Sequence, residues 1–181
     1  MRKLASIQRI ISIEPIPDAD MIVKATVLGW QLVIKKDELK QGDLCVYVEI
    51  DSILPERDVF EFLRNKQFRI KTVRLRGQVS QGICFPLNIL PEGLLIEEGA
   101  DMTGSLGIAK YEPPVPACLN GIMKGDFPSF IPKTDETRVQ VLQTLLDEHE
   151  GKPCYVSEKL DGSSATYYIK YGVFGVCSRN M

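Results

Sequence analysis

The sequence has few of the residues that build metal centres, and those that it has are scattered. It contains one histidine, His149, and five cysteines, of which no two stand in a C-x-x-C pair. A structural zinc site needs four nitrogen or sulfur ligands, usually at short spacings. The composition therefore argues against a zinc site, and we interpret the cysteines as small buried side chains in a reducing compartment.

Long apolar segments are also missing. No stretch of the chain is apolar over the length that a membrane-spanning helix requires. Residues 1–6 lack the sustained apolar region and small-residue cleavage site of a signal peptide. Hydrophobic residues make up 44% of the chain and charged residues 25%, as in ordinary globular proteins. We therefore expect an intracellular protein, cytoplasmic or nuclear, with no membrane partner.

One segment has no acidic residue at all. The net charge of −2 argues against a generally basic surface, but Asp and Glu are absent between Phe62 and Pro91. The same segment carries six basic residues, which are Arg64, Lys66, Arg69, Lys71, Arg74 and Arg76. One interpretation is that these are the charged outward positions of a small barrel. The lack of interleaved acids favours contact of Arg69, Lys71, Arg74 and Arg76 with the phosphate backbone of a nucleic acid.

The first part of the chain reads as short strands separated by turns. The predicted strands cover residues 4–13, 21–28, 31–35 and 44–50, followed by a short helix at 57–63 and a basic segment at 68–87. Within that segment, residues 78–81 are predicted to form a polar hairpin tip or loop. Strands this short indicate a small barrel or sandwich. Five strands with a helix beside them would form an OB-fold, a partly open barrel that often binds oligonucleotides.

A proline-rich passage separates this part from the rest. Residues 112–116 read Glu-Pro-Pro-Val-Pro, which breaks regular structure. We therefore predict a domain at 1–112, a linker at 113–132 and a second region at 133–181. The second region should open with a helix, because apolar residues recur at helical spacing after a capping sequence at 134–137. Strands are predicted at 154–157, 165–170 and 173–177, with a turn at Tyr171-Gly172.

The tetrapeptide Lys159-Leu160-Asp161-Gly162 lies between two of these predicted strands. A lysine amine, with a pKa of ~10.4, is normally protonated, but desolvation or a nearby cation lowers the pKa and frees it to attack phosphorus. Asp161 would share one face of an extended segment with Lys159 and could hold a metal beside a triphosphate. Most such tetrapeptides are solvated turns. The flanking strands and the returning Arg179 favour the catalytic interpretation.

A longer pattern resembles a known family. The run Glu158-Lys159-Leu160-Asp161-Gly162-Ser163-Ser164, followed by Ser178-Arg179-Asn180, resembles motifs I and Ia of ATP-dependent polynucleotide ligases. The variant is most similar to RNA ligases of the Deinococcus and Naegleria type, which carry an N-terminal OB domain. Residues 13–20, 42–43 and 51–55 resemble that OB domain, and also the tRNA-binding OB module of some aminoacyl-tRNA synthetases. Residues 74–78 and 133–140 resemble further signatures of these ligases, which adds Gln78 to the RNA-binding candidates.

The resemblance implies a fold, an activity and a set of site residues. The fold is mainly β with short helices: an N-terminal OB barrel, then the beginning of a ligase-type α+β nucleotidyltransferase domain. The activity is the joining of RNA ends or nicked duplexes, with ATP as the AMP donor and Mg²⁺ or Mn²⁺ as cofactor. Lys159 would be the nucleophile, and Asp161 would hold the metal through water. The nucleotide-binding residues would be Arg138, Glu158, Lys159, Leu160, Arg179 and Asn180. For Arg138, the residues alone equally allow a surface arginine paired with Asp135 or Glu136.

Ligases of this type continue beyond motif Ia, whereas residues 133–181 hold only one predicted helix and three strands. We therefore expect an incomplete nucleotidyltransferase domain that is inactive by itself. Its apolar strand faces around Tyr167, Ile169 and Phe174 would be exposed and would favour a rearranged tail or self-association. The alternative function is a non-catalytic OB-fold module that binds RNA or tRNA.

Overall fold

The structure is a computed structural model, and it describes residues 3–114, 123–132, 138–158, 160 and 162–179. The chain divides into two compact units. The first comprises Met1–Glu112 with Val139–Val141, and the second comprises Pro113–Arg138 with Leu142–Met181. The boundaries 1–112, 113–132 and 133–181 inferred from the sequence stay a prediction.

The described part of the first unit consists of short strands and short helices. The strands are β1 (Ala5–Pro15), β2 (Ile22–Val27), β3 (Trp30–Lys35), β4 (Leu44–Val48), β5 (Ser52–Ile53), β6 (Val73–Leu75), β7 (Gln78–Ser80), β8 (Ile83–Phe85) and β9 (Ala109–Lys110). The 3₁₀ helices cover Asp58–Lys66, Leu87–Ile89 and Val139–Val141, and α1 covers Thr103–Leu106. The predicted fold, mainly β with short helices, is confirmed.

Five strands form one antiparallel sheet in the order β3-β2-β1-β4-β8. Strand β1 is shared by the two halves of this sheet, because Ala5–Arg9 pair with β4 and Ile10–Pro15 pair with β2. The register shifts between Ile10 and Ser12, and such a bulge bends a strand and increases its twist. This bend lets a single strand pass from one side of the barrel to the other.

The two ends of the sheet approach each other across β3 and the β7–β8 segment. The Gln81 amide donates to the Gln31 carbonyl at 2.8 Å, and the Val33 amide donates to the Ser80 hydroxyl at 3.0 Å. These bonds bring β3 beside the strand at the opposite end of the sheet. The result is a nearly closed five-stranded barrel with the strand order of an OB-fold.

Strand β4 is buried on both faces, which explains its continuous run of apolar residues. Cys45 and Tyr47 point into the barrel, and Val46 and Val48 point to a second layer outside it. The barrel interior holds Ile10, Ala25, Val27, Trp30, Leu32, Ile34, Leu39, Cys45, Tyr47 and Cys84. The outer layer holds Leu4, Ala5, Ile7, Val46, Val48, Leu54, Phe60, Leu63, Phe68, Ile70, Phe85, Ile89, Met102, Leu106 and Ile108.

The helix expected at 57–63 is a 3₁₀ helix at Asp58–Lys66, and it supplies part of the outer layer. Phe60 and Leu63 stand three residues apart, so a helix with three residues per turn places both on one side. Both side chains are buried, and the Phe60 ring meets the Phe85 ring edge-on with centroids 5.2 Å apart. The helix therefore covers β8 from outside the barrel.

The cysteines follow the sequence-based interpretation in part. Cys45, Cys84 and Cys177 are buried, but Cys154 is exposed, and Cys118 lies outside the described residues. The sulfur atoms of Cys45 and Cys84 are 3.4 Å apart inside the barrel. Burial raises the pKa of the Cys84 thiol well above its ordinary value, with the nearby Cys45 adding to the shift. This thiol therefore stays protonated and behaves as an apolar filler.

The second unit contains a short helix and a β-hairpin. They are α2 (Gln143–Glu148), β10 (Thr166–Lys170) and β11 (Val173–Cys177), with a two-residue turn at Tyr171–Gly172. The predicted hairpin and its turn are confirmed. On one face, the Phe130 ring meets the Tyr168 ring edge-on with centroids 5.3 Å apart. The other face exposes four apolar side chains, which are Tyr167, Ile169, Phe174 and Val176.

One local prediction in this region is confirmed only in part, and another is wrong. The expected helix is interrupted: a 3₁₀ turn occupies Val139–Val141, and only Gln143–Glu148 is α-helical, while residues 133–137 lie outside the described part. Residues 154–157 form no strand, and their side chains are exposed. A strand is stable only beside a partner, and β10 and β11 pair with each other in a separate two-stranded sheet.

The outer layer predicts a difference between two neighbouring phenylalanines. Phe60→Ala removes a fully buried ring and should lower the free energy of unfolding by about 3–5 kcal/mol. Phe62 is 61% exposed, so Phe62→Ala should cost about 1 kcal/mol or less. Urea unfolding can be followed by the fluorescence of the buried Trp30, the only tryptophan in the sequence. Equal losses in the two variants would contradict the described packing.

Candidate functional site

The basic segment forms a small hairpin on the barrel. Strands β6 and β7 pair with Leu75 opposite Gln78, so the turn consists of Arg76 and Gly77 alone. Both turn residues have positive φ, 50° and 79°, as the tightest hairpin turns require. The predicted tip at residues 78–81 is therefore wrong, because Gln78–Ser80 forms a strand. The side chains of Lys71, Arg74 and Arg76 are exposed.

The hairpin is attached to β3 through Gln78. Its side-chain amide donates to the Gln31 side-chain oxygen at 3.0 Å and to the Val79 carbonyl at 3.0 Å. The hairpin belongs to the connection between β4 and β8, the fourth and fifth strands of the barrel. In OB-folds this loop and the face of strands 2 and 3 are the usual oligonucleotide-binding elements. Arg74 and Arg76 therefore lie at the position where such a barrel commonly binds nucleic acid.

Arg69 has a different environment from the other predicted RNA-binding residues. Its guanidinium donates to an Asp51 carboxylate oxygen at 2.8 Å, and its Cζ lies 3.3 Å from the centre of the Tyr111 ring. The Tyr111 amide also donates to the Asp51 carbonyl at 2.7 Å. Arg69 thus joins two distant parts of the first unit, and its role in RNA binding stays a prediction. Sequence reasoning missed Asp51 because it lies outside the acid-free segment.

Acidic residues outside that segment also engage Arg64. Its guanidinium contacts Glu61 at 2.5 Å and Glu56 at 3.4 Å on the exposed surface. The hydrogen bond from Arg64 lowers the pKa of Glu61 below its ordinary value. No described carboxylate forms an ion pair with Lys71, Arg74 or Arg76. Of the four cations predicted to contact RNA, Lys71, Arg74 and Arg76 are therefore exposed and outside such ion pairs, whereas Arg69 is not.

The lysine motif is only partly described. Lys159, Asp161 and Asn180 lie outside the described residues, so their roles stay predictions. Arg138, Glu158 and Arg179 are exposed, and Leu160 is 81% exposed. Apart from Gly162 itself and its neighbours in the chain, no described atom lies within 4 Å of the position that a Cβ on Gly162 would occupy. The described part of the motif is therefore accessible to a ligand.

Metal and membrane features can be assessed only for the described ranges. There, no three His, Cys, Asp or Glu side chains group into a metal site. The donors named from the motif are carboxylate oxygen and water, which suit Mg²⁺ and Mn²⁺ chemically. Within the same residues, no helix has the length and apolarity needed to cross a bilayer.

Comparison with protein families supports the barrel's class. The family model of an OB-fold domain matches residues 4–87, which include β1 to β8. The predicted OB-fold is therefore confirmed for the first unit. A comparison with curated proteins finds no significant match.

The particular similarity is to an RNA ligase. The chain is similar to solved structures of Naegleria gruberi RNA ligase. A variant of that ligase with AMP and Mn is 45% identical in sequence and has a TM-score of 0.80. The match covers 99% of this chain and 56% of the ligase chain. The same ligase with PPi gives 45% identity and a TM-score of 0.78, over 99% of this chain and 56% of the ligase chain. Another variant of that ligase, with ATP and Mn, is 44% identical in sequence and has a TM-score of 0.79. That match covers 98% of this chain and 56% of the ligase chain. The chain therefore spans little more than half the length of these ligases.

Arg69 should matter for stability, in contrast to the hairpin arginines. Arg69→Ala removes a half-buried ion pair and a ring contact and should lower the free energy of unfolding by about 1–3 kcal/mol. Arg74→Ala, at an exposed position, should change it by about 0.5 kcal/mol or less. Urea unfolding of both variants tests this, and an unchanged midpoint for Arg69→Ala would show that the contacts are not stabilising.

Proposed function

We propose that this chain provides the RNA-binding barrel and the nucleophile of an ATP-dependent RNA ligase, which joins 3′-OH and 5′-phosphate RNA ends through a lysyl-AMP intermediate. The observation that carries the proposal is the similarity along 99% of the chain, at 45% identity, to Naegleria gruberi RNA ligase with AMP and Mn. The sequence Glu158-Lys159-Leu160-Asp161-Gly162 supports it independently. Because the chain spans 56% of those ligases, we expect it not to complete sealing alone.

Lys159 would begin the reaction. Its neutral amine attacks the α-phosphorus of ATP, a P–N bond forms, and the bond to the bridging oxygen breaks. Pyrophosphate leaves with that electron pair, and the amine loses a proton to solvent. The 5′-phosphate of an RNA end then displaces Lys159 from the AMP phosphorus. Finally, a 3′-hydroxyl attacks the activated 5′-phosphate and expels AMP.

The other motif residues would bind and orient the nucleotide. Glu158 and Leu160 would contact the nucleoside, and Arg138 would lie near the phosphates. Arg179 and Asn180 would contact ribose or the RNA phosphate. A Mg²⁺ or Mn²⁺ ion held by Asp161 through water would neutralise phosphate charge and favour the neutral form of Lys159.

The barrel would hold RNA through the β6–β7 hairpin. Exposed Lys71, Arg74 and Arg76 would contact phosphates, which gives affinity without sequence preference. Gln78 would act mainly by fixing the hairpin to β3, since its amide is already bonded to Gln31. Self-association through the exposed face of β10–β11 stays a prediction.

A second candidate function is RNA or tRNA binding without catalysis. The observation that favours it is that the barrel, with its exposed cations, lies within the first unit and needs none of the motif residues. Binding of RNA by a full-length protein that captures no AMP would select this function over the ligase.

Substitution of Lys159 tests the ligase proposal. Full-length protein incubated with α-³²P-ATP and Mg²⁺ or Mn²⁺ should become labelled, and Lys159→Ala should reduce the label to background because the acceptor amine is gone. Lys152→Ala, at an exposed lysine nearby, is the matched control and should leave labelling intact. Retained AMP capture by Lys159→Ala would refute the assignment of the nucleophile.

Substitution of the hairpin arginines tests the RNA surface. The double variant Arg74→Ala/Arg76→Ala should weaken single-stranded RNA binding by roughly tenfold at low salt and reduce the slope of log affinity against log salt by about 1.4. Lys36→Ala/Lys40→Ala removes two exposed charges outside the hairpin and is the matched control. Fluorescence anisotropy with a labelled RNA measures both quantities. Equal losses in the two variants would indicate a general charge effect instead of a defined surface.

A further inference from the structure

Two glutamine side chains meet where the β6–β7 hairpin joins the barrel. Gln31 lies on β3 and is exposed, and Gln78 begins β7 and is half-buried. The Gln78 Nε2 donates to the Gln31 Oε1 at 3.0 Å and to the Val79 carbonyl at 3.0 Å. The Gln31 backbone is held as well, because its carbonyl accepts from the Gln81 amide at 2.8 Å. All four residues belong to the first unit, so the barrel fixes the two side chains relative to each other.

The hydrogen bonds determine which atoms of the two amides remain available. A carbonyl oxygen only accepts, so the Gln78 atom beside the Val79 carbonyl is the amide nitrogen. Both of its N–H groups are used, and the Gln31 atom that faces it is therefore the oxygen. Among the described residues, no other group hydrogen-bonds to the Gln31 Nε2 or the Gln78 Oε1. The pair thus offers N–H donors from Gln31 and an acceptor from Gln78 to a ligand.

A donor and an acceptor side by side match a hydroxyl group, whose oxygen accepts while its proton donates. The ribose 2′-hydroxyl is such a group, and it is the group that lets a protein distinguish RNA from DNA. Gln78 directly follows Arg76 and Gly77, the turn of the cationic hairpin. Each ribose of an RNA strand lies between two phosphates, so phosphates bound by the hairpin would bring a ribose to the amide pair.

A nucleobase edge also carries donors and acceptors, but the surroundings of the pair favour the sugar. Proteins usually hold unpaired bases by stacking them on aromatic rings as well as by hydrogen bonds. Strands β3, β6 and β7, which the structure describes completely, contain one aromatic residue, Trp30, and its side chain is only 4% exposed. These strands therefore offer no exposed ring on which a base could stack beside the amides.

We propose that Gln31 and Gln78 form a subsite for the ribose 2′-hydroxyl, in which the Gln31 Nε2 donates to O2′ and the 2′-hydroxyl donates to the Gln78 Oε1. This inference rests on the proposed function, in which the hairpin binds RNA, and it adds a determinant of selectivity for RNA over DNA. Arg74 and Arg76 would contact phosphates, which both nucleic acids carry, so they do not distinguish between them. Selectivity for the sugar therefore comes from the neutral amide pair.

The test compares three labelled single-stranded oligonucleotides of one sequence: RNA, DNA and 2′-fluoro RNA, which lacks the hydroxyl proton. Full-length wild-type protein should bind RNA about tenfold more tightly than either of the others, because two hydrogen bonds depend on the hydroxyl. Gln31→Ala should reduce this preference to about twofold or less. The variant also loses the bond to Gln78, but a looser hairpin affects all three ligands alike and leaves the ratio of affinities unchanged.

The matched control is Gln41→Ala, which truncates an exposed glutamine outside the hairpin and should keep the wild-type preference. Because Gln31 is neutral, its substitution should also leave the slope of log affinity against log salt unchanged. Fluorescence anisotropy measures both quantities.

The outcomes distinguish the subsite from the surface to which it belongs. Equal binding of RNA and 2′-fluoro RNA by the wild type would overturn the subsite and leave the cationic hairpin in place. A Gln31→Ala variant that weakens all three ligands but keeps the preference would show that Gln31 only fixes the hairpin, which also overturns the subsite. Failure of the wild type to bind any of the three would refute the proposed RNA surface and the subsite with it. AMP capture at Lys159 is a separate measurement that none of these results decides.

Discussion

Burial of β4 on both faces is the constraint on which the rest of the first unit depends. A five-stranded barrel needs only one buried face per strand, and the alternation along β2 and β3 follows that pattern. The additional burial of Val46 and Val48 requires a second apolar layer outside the barrel. The connection from β4 to β8 supplies much of that layer through Phe60, Leu63 and Ile70. Most of this long connection is therefore packed against the outer side of β4.

This packing explains why the basic surface is small. Arg64 and Arg69 lie in the packed part of the connection, where Arg64 pairs with Glu56 and Glu61 and Arg69 pairs with Asp51. The β6–β7 hairpin carries Arg74 and Arg76 away from those acids, and Gln78 fixes it beside β3. A chain with a net charge of −2 can therefore present a local cationic surface, because the arrangement of its charges matters more than their sum.

Features encoded by neighbouring residues could be predicted from the sequence. The strands β1 to β4 were recognisable from apolar alternation and turn residues, and the hairpin at Tyr171–Gly172 from two β-like runs around a glycine. Features that depend on distant partners could not. The Arg69–Asp51 pair joins positions 18 residues apart, and residues 154–157 have strand-like composition but no strand beside them. The hairpin tip was misplaced because Arg76, a non-glycine residue, adopts positive φ.

The same distinction holds for the candidate site: the chemistry of its motif can be predicted from neighbouring residues, whereas contacts with distant segments cannot. Lysine, aspartate and glycine at fixed spacing predict a nucleotidyl-transfer motif, because the reaction needs an amine and a metal ligand close together along the chain. Contacts between segments that are distant in the sequence are not encoded in such a short motif. Gly29 has the appearance of an ordinary turn glycine in the sequence, yet its backbone angles would allow a side chain and the approach of Gln140 does not. Gly29 and Gln140 lie more than 100 positions apart in the sequence, so only the folded first unit brings them together.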